Sequence, residues 1–142
     1  MTITNENVEK LRQALYGIIG TGAQLPIWLH YAISKNISRL DSLWKIKEKS
    51  RMTLVDMYSV KDEKTGKTHV PPENLEKFRA PYDELMAQPN EVDFHKVNYG
   101  RLENEVKTLA GVPNMHLVFE YMVDEESVAS TAENGNLHAV KE

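Results

Sequence analysis

The chain contains no cysteine. That absence excludes disulfides, thiol nucleophiles, iron–sulfur clusters and cysteine-ligated zinc together. A small domain that does without disulfides suits a reducing compartment. Long apolar runs are missing too. No stretch of about 18 apolar residues occurs, so no membrane-spanning helix is expected. The opening segment MTITNENVEKLRQ has no basic patch followed by an apolar stretch and does not read as a secretory signal. Nor is there an excess of cations: 17 Lys and Arg stand against 21 Asp and Glu, a net charge of −4 with His neutral. Mild acidity favours solubility and disfavours general nucleic-acid binding.

Catalytic signatures are equally scarce. His30, His69, His95, His116 and His138 are scattered, and no two stand one helical turn apart, as a metal-binding pair requires. There is no Gly-x-Ser-x-Gly elbow and no Ser-x-x-Lys with supporting motifs. The run Gly17-Ile18-Ile19-Gly20-Thr21-Gly22 resembles a phosphate loop only superficially. It lacks the dinucleotide spacing and a following Lys-Ser/Thr, and it reads better as a helix stop. Glu120, Asp124, Glu125 and Glu126 cluster, but they abut a polar segment and read as a solvated acidic surface. No catalytic residue, cofactor or metal is expected.

What is present is helical periodicity. A length of 142 residues with 41% hydrophobic content fits one domain with one core. The first helix should start near Asn5, with Thr4 and Asn5 both able to cap it. Val8, Leu11, Leu15 and Ile18 give it one apolar face. Pro26 then suits a first helical turn. No Gly or Pro interrupts Ile27 to Tyr58, which predicts one helix of about 30 residues. Its stripe is Leu29, Ile33, Leu40, Leu43, Ile46, Leu54 and Met57, interrupted by Asn36 and Ser50. Such a helix is long for its domain, so part of it should project or meet another chain.

Residues 59–70 read as a short β-hairpin or ordered loop turning at Thr65-Gly66. Pro71-Pro72 should open a helix carrying Leu75, Phe78, Tyr82 and Leu85, which Pro81 should kink or split. Pro89-Asn90 reads as a break. Val92, Phe94 and Lys96 alternate as a possible short strand. Leu102, Val106 and Leu109 suggest a short helix ended by Gly111. Pro113 opens the last helix, for which a strand over 116–123 is the alternative because Val, Phe and Tyr favour sheets. The expected architecture is mainly α: a single helical domain over 1–123 and a disordered acidic tail over 124–142.

One constellation stands out. Lys35, Arg39, Lys45, Lys47, Lys49 and Arg51 meet only Asp41 and Glu48 along the long helix, with Trp44 among them. These seven residues, Trp44 and the six cations, are the candidate interaction surface. A basic helix with an aromatic can track a phosphate backbone or dock an acidic protein partner, and it can equally be a solvated face with Lys stems over apolar surface. Reversing Lys45, Lys47 and Lys49 to Glu is expected to spare folding and weaken partner binding.

The punctuation of the chain adds a resemblance. Leu25-Pro26, Ala32, Leu54 with Tyr58, Asp62-Glu63 with Gly66, Val70-Pro71-Pro72-Glu73-Asn74, Phe78, Glu84-Leu85 and Val92 follow in order. This succession resembles a group of small uncharacterised helical bacteriophage proteins over about residues 25–122. Pro81 and the longer segment from Lys96 to Pro113 depart from that pattern. The resemblance implies a phage origin, a location in the virion or the host cytoplasm, and a non-enzymatic role; it transfers no site residues.

Three functions follow as expectations. The first is an interaction protein that self-associates or docks on a larger phage assembly through the long helix. The second is an accessory inhibitor that binds a host defence protein or host enzyme. The third is a nucleic-acid-associated protein using residues 35–51.

Overall fold

A computed structural model describes residues 1–124. The tail expectation for 125–142 lies outside the described residues. Helix α1 spans Asn5–Gly20 and α2 spans Ile27–Tyr58, a single run of 32 residues. Helix α3 is Pro72–Ala87, α4 is Tyr99–Glu105 and α5 is Met115–Met122; a 3-10 turn, Val106–Leu109, follows α4. Residues 116–122 are therefore helical, as preferred from sequence. Among the described residues no helix is long and apolar enough to cross a membrane.

The helix ends follow local chemistry. Thr4 caps α1, its hydroxyl accepting from the Asn7 amide at 3.3 Å. Asn5 does not share that task. It is buried, and its side-chain amide donates to the Leu85 carbonyl at 2.7 Å, tying the start of α1 to α3. Gly22 adopts φ +72 just beyond α1, a conformation that costs glycine little. Helix α3 runs unbroken through Pro81, so of the two expected outcomes, a kink or a split, the split does not occur.

Among the described residues, two short antiparallel sheets close the chain on itself. The predicted hairpin is there, pairing β2 (Val60–Lys61) with β3 (Thr68–His69) around Gly66 at φ +73. The second sheet pairs β1 (Thr2–Thr4) with β4 (Pro89–Glu91). The expected strand at Val92–Lys96 is thus displaced onto the segment read as a break. Val92 and Phe94 are buried in irregular chain: the Val92 amide donates to the Met1 carbonyl at 2.9 Å, the ladder ends there, and the alternate side chains continue to face the core.

The core joins α1, the first half of α2, α5 and the segment after β4. Leu11, Leu15, Leu29, Ile33, Leu40, Leu102 and Met122 are fully enclosed in it. Asn36 lies at its edge and is itself buried. Its side chain donates to the His95 carbonyl at 3.0 Å and accepts from the His95 amide at 2.8 Å. A polar residue in the apolar stripe thus replaces a missing strand partner for residue 95.

Candidate interaction surface

Beyond Leu40 the character of α2 changes. Its inner seam, which begins with Ile33, Ile37 and Leu40, continues at the same helical spacing as Trp44, Lys47 and Arg51. Ile46 and Met57, read from sequence as members of the buried stripe, are 66% and 65% exposed. The reason is geometric: they stand about 100° off the seam, where Lys47 continues it.

Lys47 was a candidate contact residue and is instead enclosed at 2% exposure. Its ammonium pairs with Glu9 of α1 at 2.6 Å and reaches Glu48 at 3.6 Å. Glu48 also takes a hydrogen bond from Arg51 Nε at 2.5 Å. That bond holds the Glu48 carboxyl below its ordinary range, against the opposing effect of burial and with further help from Lys47. Arg51 is raised for the same reason.

A second polar cluster joins the same two helices. Arg12 Nε and the Tyr16 hydroxyl each donate to Asp41 at 2.7 Å. Burial alone would raise Asp41. The two hydrogen bonds, with the charges of Arg12 and Lys45, outweigh it and leave the carboxyl low. The bond to Asp41 raises Tyr16 in turn. The Arg12 guanidinium lies 4.2 Å above the Trp44 ring, and the Lys47 ammonium lies 5.4 Å from it. Trp44 is therefore covered from within.

The seven candidate residues divide accordingly. Trp44, Lys47 and Arg51 belong to the internal seam with α1. Lys35, Lys45 and Lys49 are exposed on the opposite side of α2, and Arg39 is half-buried beside Asn36. The structure does not bring the six cations into one basic surface. The outer side of α2 instead mixes Lys35, Lys45 and Lys49 with the exposed apolar residues Ile27, Tyr31, Ile46, Met52 and Met57. Sequence reasoning passed over Ile46 and Met57 as surface residues; their offset from Leu40 and Trp44 was the available signal.

The most informative feature is a missing core. From residue 41 to residue 91 only Lys47 and Pro71 are buried. The far half of α2, the hairpin and α3 form an arm that leaves the core, and only the end of α3 returns to it, where Leu85 meets Asn5 of α1. It is held by a stacked Phe78–Tyr82 pair, by Tyr58 set edge-on to Phe78, and by the Asn74 amide on the Tyr58 carbonyl at 3.0 Å. Between its helices lies a cavity of about 360 Å³ lined by Ser50, Thr53, Leu54, Pro81, Glu84, Leu85 and Gln88.

A second cleft, about 430 Å³, separates α1 from α3 and is lined by Glu6, Glu9, Lys10, Tyr82, Asp83, Met86 and Ala87. Glu6 pairs with Lys10 at 3.1 Å, and Glu9 with Lys47. Among the described residues no group of three or more His, Cys, Asp or Glu is placed to hold a metal ion. Comparison of the chain with protein-family models, with curated proteins and with solved structures returns no match, which leaves the geometry of its own surfaces to carry the functional reading.

Proposed function

We propose that this is a non-enzymatic docking protein whose working part is the α2–α3 arm. The observation that carries the reading is the arm's lack of buried apolar residues. A long two-helix projection that encloses almost nothing gains stability when another surface covers it. The exposed side chains of Ile46, Met52, Met57, Val60 and Leu75 supply apolar contact, and Lys45 and Lys49 favour a partner with acidic groups at its rim. The resemblance to small phage proteins suits a role in a virion or its assembly. Nucleic-acid binding gains less support, because Lys47 and Arg51 are neutralised within the fold.

The test is site-specific photo-crosslinking in the producing cell. A photoreactive residue at position 46 should give a discrete higher-mass product, and one at exposed Ile19 on α1 should not. Absence of any product at 46, 52 and 57 would remove the docking reading.

A further inference from the structure

One flank of α2, beside its groove with α3, carries a partial internal symmetry. Ile46, Ser50, Thr53, Leu54 and Met57 follow at steps of four, three, one and three, which places them on one side of α2. Ile46 and Met57 are its bulky, exposed ends. Ser50 and Thr53 are small and lie between them. About the midpoint between Arg51 and Met52, four of these residues match in pairs, Ser50 with Thr53 and Ile46 with Met57; Leu54, whose counterpart is Lys49, stands outside the symmetry.

We propose that this face pairs antiparallel with the same face of a second copy, about a two-fold axis passing between Arg51 and Met52. The idea rests on the docking reading and names its partner. In that arrangement Ile46 opposes Met57 of the second copy, and Ser50 opposes Thr53. The small residues fall at the crossing, where two helix axes must approach most closely, and the large ones fill the space on either side. Such an interface is isologous and closes at two chains.

The charges agree with the same register. Lys45, Lys49 and Asp56 share one edge of the face. None of the three has an ion-pair partner among the described residues. The two-fold axis brings Asp56 of the second copy opposite position 47, midway between Lys45 and Lys49. The cavity beside Leu54 and Leu85 borders this face and offers room for the second copy's side chains.

The lack of native cysteine makes the test clean. Chains carrying I46C and chains carrying M57C are mixed and mildly oxidised. The mixture should give a disulfide-linked dimer. Each variant alone should not, because like positions then lie roughly 17 Å apart along the helix, well beyond disulfide reach of about 7 Å. Equal linking of either variant alone, or no linking in the mixture, overturns the register. A second measurement uses charge. D56K should weaken self-association about tenfold in sedimentation equilibrium, and adding K45E and K49E should restore it. Failure of that restoration in folded protein also overturns the proposal. Photo-crosslinking from position 46 to a different protein alone keeps the docking reading and removes the second copy as its partner.

Discussion

Lys47 of α2 lies 2.6 Å from Glu9 of α1, and it is the one charged side chain buried among the described residues. The pair closes the seam at the point where the core ends and the arm begins. Its two ends are not equivalent. The Lys47 side chain is 1% exposed, but that of Glu9 is 34% exposed. A buried ammonium depends on its partners, whereas a half-solvated carboxylate can fall back on water.

That asymmetry predicts unequal effects of substitution at position 47. Lys47→Glu sets a third carboxylate against Glu9 and Glu48 in an enclosed site, and should cost about 3 kcal/mol or more. Lys47→Met keeps the length and apolar stem and leaves Glu9 to solvent, so it should change stability by no more than about 1 kcal/mol. Urea unfolding of the two variants measures this. A loss with Lys47→Met as large as with Lys47→Glu would show that the ammonium itself is required and that Glu9 does not fall back on solvent. The triple reversal of Lys45, Lys47 and Lys49 is therefore no longer a clean surface test; Lys45 and Lys49 alone are.

Asn36 gives the second prediction. Leucine at position 36 would complete the apolar stripe of α2. It would also strip the His95 backbone of both its partners, the donor at 3.0 Å and the acceptor at 2.8 Å. Each buried group left unmet costs about 1–3 kcal/mol. Asn36→Leu should therefore destabilise by about 2–4 kcal/mol despite its greater hydrophobicity. A variant as stable as the parent in thermal unfolding would mean that water serves His95 equally well.

These two residues show where sequence reading stopped. The long helix, its bounds and the turn at Gly66 were legible because they depend on local rules: uninterrupted periodicity, proline at a helix start, glycine at positive φ. Asn36 and Lys47 read as an interruption and a surface charge because their roles depend on partners 59 and 38 positions away. The β1–β4 sheet was missed for the same reason. Thr2–Thr4 carries no strand signal of its own, and its pairing with Pro89–Glu91 is set by the packing of α1 on α3. The candidate surface was half legible. The charge count was right, but the side of the helix taken by each cation follows from the seam with α1.

Acid should loosen the seam. Asp41 and Glu48 are both held below their ordinary values of 3.8 and 4.5. A carboxyl with a lowered folded-state pKa binds its proton more weakly in the native state than in the unfolded chain. Its stabilising contribution is complete above its unfolded value and is lost as pH falls through the folded one. Stability should therefore be flat from neutrality to about pH 5 and then fall as pH drops below about 4. Asp41→Asn should be less stable than the parent at neutral pH and should show a shallower acid slope. Parallel acid profiles for the two proteins would remove Asp41 from this account.

The last prediction concerns how stability is distributed. Helix α1, residues 29–40 of α2 and α5 share one enclosed core, but α3 has no buried residue at all. Backbone hydrogen bonds in the arm are therefore backed by partly covered side chains only, and such regions open at lower free energy than the whole molecule. In dilute protein, amides of residues 72–87 and of the last turns of α2 should exchange with solvent through an opening that leaves Leu11, Leu15 and Leu40 protected. Substitutions should follow the same division. Leu40→Ala removes an enclosed side chain and should cost about 2–5 kcal/mol, whereas Leu75→Ala, at 46% exposure, should stay within about 0.5 kcal/mol. Raising the protein concentration should slow exchange in α3 and the end of α2 if a second copy covers the arm, and should leave α1 unchanged. Exchange of α1 and α3 at one common rate would show instead that the arm and the core unfold as a single unit.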